Sequence, residues 1–559
     1  MSTSSIALSR KGISDSTTAA EPAGRPLPGA GPRPRAPAAS VLDPFLRIPP
    51  FPGAKVHAFG KDGSSNVSID QAGTLSSLIR GARVGGTYWG AQPSLPLRYV
   101  LVRRNDDSLP NQFAGTDVVQ WDERSQNDPW HMLAKAEALV ADPGNPIAII
   151  AAILDVPVYS GEPDGSKMLT IDVPGALSAA LPESCVNPFT GGVMSIEEAI
   201  ALCGYWRSLI DSNRDLAGGL GFAFWKQDNV AAMLWDGTKP FAFLSQASDV
   251  APGRSVALWR SKASVDAVAQ LEQAGTPLVE VEDGFLRSQG LGADCVPPLS
   301  ITVDRLGPYF DHAQPSELEN LLQDGNFDSA TIVRAARLRE AIVAAGLAKY
   351  EAGTTAIDRP AGERRHILVP GQVEDDRSVM TGGGGLTNLE LLKRVRDGAP
   401  DAYIIYKPHP DVLAGHRKGA IPDRICRNIA DEIVPDASVA SLIDMADEVH
   451  VNTSLTGFEA LMRGKAVTTY GVPFYAGWGL TEDLGPVPAR RSAKRSLDEL
   501  VAATLVVYPR YLDPVTGLPC PAEITVDRLC EGRTAVEGLV VKLRRMQGKM
   551  VRAWRGVFP

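Results

Sequence analysis

The sequence predicts an α/β protein in which two Rossmann-like domains face each other across a cleft, with a small N-terminal α/β extension and a disordered N-terminal tail. Three observations predict it. Short β-type runs alternate with helical segments, which implies largely parallel sheets. The alternation restarts after a helix-rich bridge from Pro315 to Glu351, so two such sheets are expected. Polar turns follow several of the strands directly, and the carboxyl ends of parallel strands are where open α/β sheets hold ligands.

At 559 residues the chain exceeds one compact core, and ordinary domain sizes predict about three to four units. Hydrophobic residues at 44% and charged residues at 22% are those of a globular protein. A net charge of −9 gives no broad basic face for nucleic acid, so an anionic ligand needs a local basic pocket. No apolar run approaches the roughly 20 residues that span a bilayer, and the first residues lack the apolar core of a secretory signal. A cytoplasmic location is therefore expected. Cys185, Cys203, Cys295, Cys426, Cys520 and Cys530 show no Cys-x-x-Cys spacing, so neither a disulfide frame nor a zinc site is indicated, and no metal is expected.

Residues 1–45 are rich in Pro and Ala, with few large apolar side chains to offset the entropy of ordering. Residues 46–186 read as a small degenerate α/β unit, with a strand at Tyr99–Val102, a helix from Met132 to Ala141 and a buried segment from Ile147 to Leu154. Residues 187–350 form the first large lobe. Its first helix starts at Ser195-Ile-Glu-Glu198, an N-cap with an acid three positions on. Strands are expected at Gly221–Trp225, Ser255–Trp259 and Leu278–Val281. Residues 351–510 form the second lobe, with strands at His366–Val369, Ala402–Tyr406, Glu448–Val451 and Ala466–Tyr470. Residues 511–559 read as a C-terminal helical tail. A pair of such lobes is the architecture called GT-B. A faint echo links Ala136–Ser160 to Ala446–Tyr470; it is either a decayed second module or a coincidence between two αβ stretches.

Five segments carry groups suited to chemistry. Val281–Ser288 puts Glu282, Asp283 and Arg287 at a sheet's carboxyl edge. An acid there can take a hydroxyl proton and Arg287 can clasp a carboxylate or phosphate, or the segment is a charged turn closed by a salt bridge. Val369–Ser378 holds Gln372, Glu374, Asp375 and Asp376 beside a glycine run. One of its carboxylates is suited to nucleophilic attack on an anomeric carbon; a metal site is the other chemical reading, but three consecutive acids in one loop are more often a solvated turn than a divalent cage. Tyr406–Asp411 fixes Lys407 and His409 in a Pro-His-Pro turn, both fit for phosphate. Val451–Gly464 sets Thr453, Ser454 and Thr456 at a helix start, an anion site or simple capping, with Glu459 able to accept ribose hydroxyls. Tyr470–Asp483 is crowded with aromatics and glycines, and either lies under a base or sugar or wedges the two lobes.

From about Asn187 to Glu523, roughly three fifths of its length, the chain resembles the capsule polysaccharide biosynthesis and export family of KpsC and KpsS proteins, and most closely one KpsC module. The blocks that carry the resemblance are Asn187-Pro-Phe-Thr-Gly191, Phe222-Ala-Phe-Trp-Lys226, Trp259 with Ser261-Lys262, Glu282-Asp-Gly-Phe-Leu-Arg-Ser288, Gly290-Leu-Gly292, Pro298-Leu-Ser300, Lys407-Pro-His-Pro410, Thr453-Ser454, Gly457-Phe-Glu-Ala-Leu461, Pro473-Phe-Tyr-Ala-Gly-Trp-Gly479 and Tyr508-Pro-Arg-Tyr511. The resemblance implies a retaining β-Kdo transferase with CMP-Kdo as donor, no further cofactor, and a phosphatidylglycerol-linked Kdo acceptor at the inner face of the inner membrane. Capsule assembly and export proteins are the implied partners there. The first lobe would then be the acceptor side and the second the nucleotide-sugar side.

The family commonly carries an Asp-Gln-Thr-x-Gly-Asp-x-Ser stretch where this chain has Gly371–Ser378. On that match Asp376 is the implied nucleophile and Gln372 its support, while departures at Gly371, Val373 and Asp375 leave Asp375 as a rival. Glu282 and Asp283 would flank the acceptor or the Kdo carboxylate. Lys407 and His409 would meet the donor phosphate, and Glu459 the cytidine ribose. Two other classes share these features: a non-catalytic export or scaffold subunit, and a two-lobed nucleotide-sugar epimerase. The retained acids and the Lys407–Asp411 turn favour the enzyme over the scaffold.

Overall fold

The structure, a computed structural model, describes residues 45–532 apart from 62–64, 103–108, 110, 122–125, 162–166, 287–295, 348–358, 361, 414 and 416. The expected disordered tail, Arg287, the Gly290–Gly292 block and the end of the expected helical tail lie outside the described residues.

Two large sheets form, as expected. The first has seven strands in the order Phe243–Leu244, Leu216–Leu220, Ser255–Leu258, Leu278–Asp283, Ser300–Asp304, Arg510–Leu512 and Pro519–Cys520. Its first four strands are parallel and the rest antiparallel, so it is a mixed sheet and not the mostly parallel one anticipated. The second has six strands, all parallel, in the order Glu432–Ile433, Tyr403–Lys407, His366–Pro370, Glu448–Val451, Ala466–Thr469 and Glu482–Asp483. Its central apolar side chains, among them Ile367, Val369 and Ile404, are fully buried between helices, each worth about 1.5–3 kcal/mol.

Three local expectations are corrected. Met132–Ala141 is not one helix: a short helix Pro129–Leu133, capped by Asp128, gives way to the strand Ala136–Val140. A strand buried on both faces reads as a continuous apolar run, so periodicity cannot separate it from a helix. The expected strand at Gly221–Trp225 lies one step earlier, at Leu216–Leu220, and Phe224–Met233 is helical. Gly221 ends that strand with φ of 83°, where an added Cβ would lie 2.4 Å from the Trp259 carbonyl oxygen, so glycine is required. The segment from 511 is not simply helical. Arg510–Leu512 and Pro519–Cys520 join the first sheet before the helix Ala522–Cys530, because Tyr511 and Leu512 are buried in a chain that returns to the first lobe.

The front unit is a five-stranded sheet in the order Asp117–Gln120, Tyr99–Val102, Ala136–Val140, Val158–Tyr159 and Met168–Leu169. Apart from the edge strand Glu432–Ile433, this is the strand order of the second large sheet, so the echo is strand, helix, strand in both places. The match continues into a hairpin after each sheet. Asn187 Oδ1 accepts from the N–H groups of Phe189 and Thr190, and the Asp513 carboxylate accepts from those of Val515 and Thr516. Gly191 and Gly517 then turn the chain with φ of 73° and 71°. In the front copy the helix that follows its third strand in the chain is Pro146–Ile153, an almost wholly apolar segment without an acid.

Among the described residues no helix is long and apolar enough to cross a membrane.

Candidate functional site

The site lies where the carboxyl ends of the two large sheets meet. Glu282 and Asp283 are the last two residues of the strand Leu278–Asp283 and not part of a following turn. Alternation along the strand sends them to opposite faces. Asp283 receives the Lys226 ammonium at 3.0 Å, and that ammonium also stands 3.4 Å from the centroid of the Trp259 ring. Glu282 receives Arg377 at 2.7 Å across the junction between the sheets. Burial pushes the Glu282 carboxyl up to about 7; Arg377 opposes the rise, Asp283 and Glu280 add to it, and Lys226 opposes it.

Arg377 opens the helix Arg377–Gly382, and Asp376 is its N-cap. The Asp376 side chain makes no capping bond and instead accepts from the Ser378 hydroxyl at 2.7 Å. The three consecutive acids do not converge. Glu374 Oε1 accepts from the Asn388 N–H, Asp375 pairs with the exposed Arg417 at 3.1 Å, and Asp376 is exposed.

Gln372 and Thr453, distant in sequence, are bonded to each other. Gln372 Nε2 donates to Thr453 Oγ1 at 3.1 Å and the Thr453 N–H donates to Gln372 Oε1 at 2.9 Å, which ties the acid loop to the helix start at Ser454. The same loop runs against the Pro-His-Pro turn: the Gly371 N–H donates to the Lys407 carbonyl, and a Cβ on Gly371 would lie 3.4 Å from the backbone nitrogen of His409. Lys407 is buried with Nζ donating to the Pro435 carbonyl, and His409 Nδ1 accepts from the Asp411 N–H. Ser454 caps the helix Leu455–Met462 through the Thr456 N–H and donates to Thr456 Oγ1. Glu459 is buried on that helix beside Tyr475, whose hydroxyl donates to the Ser454 carbonyl.

The aromatic loop after Tyr470 is a wedge. Phe474, Tyr475 and Trp478 are buried, and Phe474 packs 4.9 Å from Phe285, which follows the Glu282 strand.

Sequence reasoning missed Asn388, Lys226 and Arg377. Asn388 is buried and clamps the Gln372 backbone: Oδ1 accepts from its N–H at 2.9 Å, while Nδ2 donates to the carbonyls of Gln372 and Gly419. Its only trace in the sequence is an asparagine just after the helix N-cap Thr387, where capping explains it. Asn388→Ala is expected to destabilise the protein by about 1–3 kcal/mol, since it strands one buried N–H and two carbonyls. A denaturant titration reads that loss, and limited proteolysis near residue 372 reads the loosened loop.

The molecule is thus an α/β protein of tandem sheets whose abutting strand ends gather carboxylates, an imidazole, an ammonium and a helix start, the usual ligand position of that class. The model of the family described as capsule polysaccharide biosynthesis protein matches residues 254–511. The capsule polysaccharide modification protein LipA of Neisseria meningitidis serogroup A is 41% identical over 348 residues, 60% of this chain and 49% of LipA. The lipopolysaccharide-processing protein LpsZ of Rhizobium meliloti is 48% identical over 257 residues, 45% of this chain and 58% of LpsZ. This chain therefore spans about half the length of the curated relatives it matches. A solved structure of Thermosulfurimonas dismutans KpsC, a beta Kdo 2,7 transferase, is 36% identical over 57% of this chain and 99% of the solved one, with a TM-score of 0.47. A second from that organism, a beta Kdo 2,4 transferase, is 31% identical over 57% and 98%, with a TM-score of 0.49. With that identity along nearly the whole of a solved relative, the chain belongs to the capsule polysaccharide biosynthesis family.

Proposed function

We propose that this chain is a glycosyltransferase of capsule polysaccharide synthesis that moves Kdo from CMP-Kdo to a lipid-linked Kdo acceptor with retention of configuration. The observation that carries the reading is the meeting of Glu282, at the end of a strand of one sheet, with Arg377, the residue directly after the Gln372–Asp376 loop of the other. In the first step an Asp376 carboxylate oxygen bonds to the anomeric carbon as its bond to the phosphate oxygen of CMP breaks, and CMP leaves with the electron pair. In the second, the acceptor hydroxyl oxygen attacks the same carbon, its proton passes to Glu282, and Asp376 leaves as carboxylate. Two inversions make net retention.

Lys407, His409 and the helix start at Ser454 are suited to the donor phosphate, and Glu459 to the ribose. Gln372 steadies the nucleophile's loop through Thr453, and Asp283, neutralised by Lys226, lines the acceptor side. A carboxyl held near 7 is matched to proton uptake at neutral pH. The work requires no resident cofactor, and the lipid acceptor would bring the protein to the inner face of the inner membrane as a peripheral protein.

Incubation with CMP-Kdo without acceptor tests the chemistry. A peptide containing Asp376 is expected to gain the mass of one Kdo as CMP is released. CMP-Kdo bound without any adduct, and without transfer once a Kdo-terminated acceptor is added, would refute it.

A further inference from the structure

Glu280 and Glu282 lie two residues apart on one strand, so both side chains leave the same face. Together with Asp283 they put three carboxylates at one strand end, and each meets a cation from a different element. Arg260 Nε reaches Glu280 Oε1 at 2.5 Å, Lys226 reaches Asp283, and Arg377 reaches Glu282. Arg260 and Lys226 belong to the first lobe; Arg377 comes from the second. Its guanidinium stands 3.7 Å from Glu280 Oε2, a buried oxygen with no hydrogen-bond partner among the described residues, and 5.2 Å from the centroid of the Phe310 ring. The cation is thus seated among Glu282, Glu280 and an aromatic face, and it is joined by one peptide bond to Asp376.

We infer that Arg377 is a positioning residue that makes the base of the first lobe depend on contact with the second: its guanidinium pairs with Glu282 and aims it only while the two sheets abut. The inference rests on the reading of Glu282 as the base. The side chain of Glu282 is only 17% exposed, so separation from Arg377 would leave it beside Glu280 on the same face, with the charge of Asp283 adding to the repulsion and that of Lys226 opposing it. A carboxylate in that position takes a proton and stops accepting one from substrate. Glu282 is therefore silenced as a base when Arg377 withdraws and restored when it returns.

The sign of each charge change gives the test. Arg377→Gln removes an attractive cation and is expected to move the Glu282 titration to higher pH by about 1–3 units. Arg377→Lys keeps the charge and should restore most of that shift. Glu280→Gln removes a like charge and should move the titration the opposite way. Two readouts follow it: the carboxylate infrared band that disappears in Glu282→Gln, which needs no turnover, and the acid limb of kcat/KM for CMP release from CMP-Kdo with a Kdo-terminated acceptor. Upward and downward shifts from the two variants, in folded proteins, support the inference. An unshifted band in both Arg377→Gln and Glu280→Gln, or shifts of the same sign, would overturn it. Band shifts as expected in a protein that never transfers Kdo would support the pairing and refute only the transferase reading.

Discussion

Asp376→Ala is expected to lower Kdo transfer by on the order of 10⁴- to 10⁶-fold in kcat, with KM for CMP-Kdo changed by little. The nucleophile acts only on the reacting carbon. Donor affinity on this reading comes from Lys407, His409, the Ser454 helix start and Glu459, none of which the substitution touches. Folding should survive, because Asp376 is exposed and makes no capping bond to the helix it precedes. The control is Asp375→Ala. Asp375 pairs with exposed Arg417, a surface contact worth about 0–1 kcal/mol, so its loss should leave transfer within a few fold. Initial rates of CMP release decide between them. A dead Asp375→Ala enzyme beside an active Asp376→Ala one would transfer the nucleophile's role to Asp375.

Asp128→Ala is expected to cost about 3–5 kcal/mol of stability. Its carboxylate is fully buried and takes both terminal nitrogens of Arg207, at 2.6 and 3.1 Å. It also caps the helix Pro129–Leu133 through the Trp130 N–H and accepts from Gln92. Arg207, itself buried on the helix Ile196–Asp211, further donates to the carbonyls of Arg83 and Tyr88 and to Asp211. Removing Asp128 takes the bidentate partner from that buried guanidinium and leaves it one ion pair, to the half-buried Asp211. Replacing both partners by apolar residues of similar volume should cost much less, because no charge is then left unpaired. Denaturant midpoints at unchanged slope measure the difference; equal losses in the single and double variants would show that packing, not charge, sets the effect.

Much of the fold was legible because its signals are local. Ser195 and Glu198 form the full capping box that their spacing announced, and the strands of the second lobe fall where short apolar runs end in polar turns. The misreadings have local causes too. Ala138–Val140 is buried on both faces, so this end of the strand Ala136–Val140 carried no period of two. Phe222 and Phe224 looked like strand aromatics, yet the glycines before them form the strand, since only small residues allow the close approach of Phe222 and Phe241. The hairpin turns at Asn187 and Asp513 were not read from the sequence, and their equivalence showed only once the strand orders could be compared.

The sequence by itself determined the two runs of alternating strands and helices that build the large sheets, the helix starts and the chemical types that follow the strands, since capping, turn chemistry and hydrophobic period act over a few residues. Tertiary structure decided which of those groups meet. The bond between Gln372 and Thr453, the clamp of Asn388 on the acid loop, the return of Arg510–Leu512 to the first sheet and the reach of Arg377 to Glu282 all join residues far apart in the chain. Such contacts depend on how packed layers come to rest against one another, and short-range patterns do not encode that arrangement.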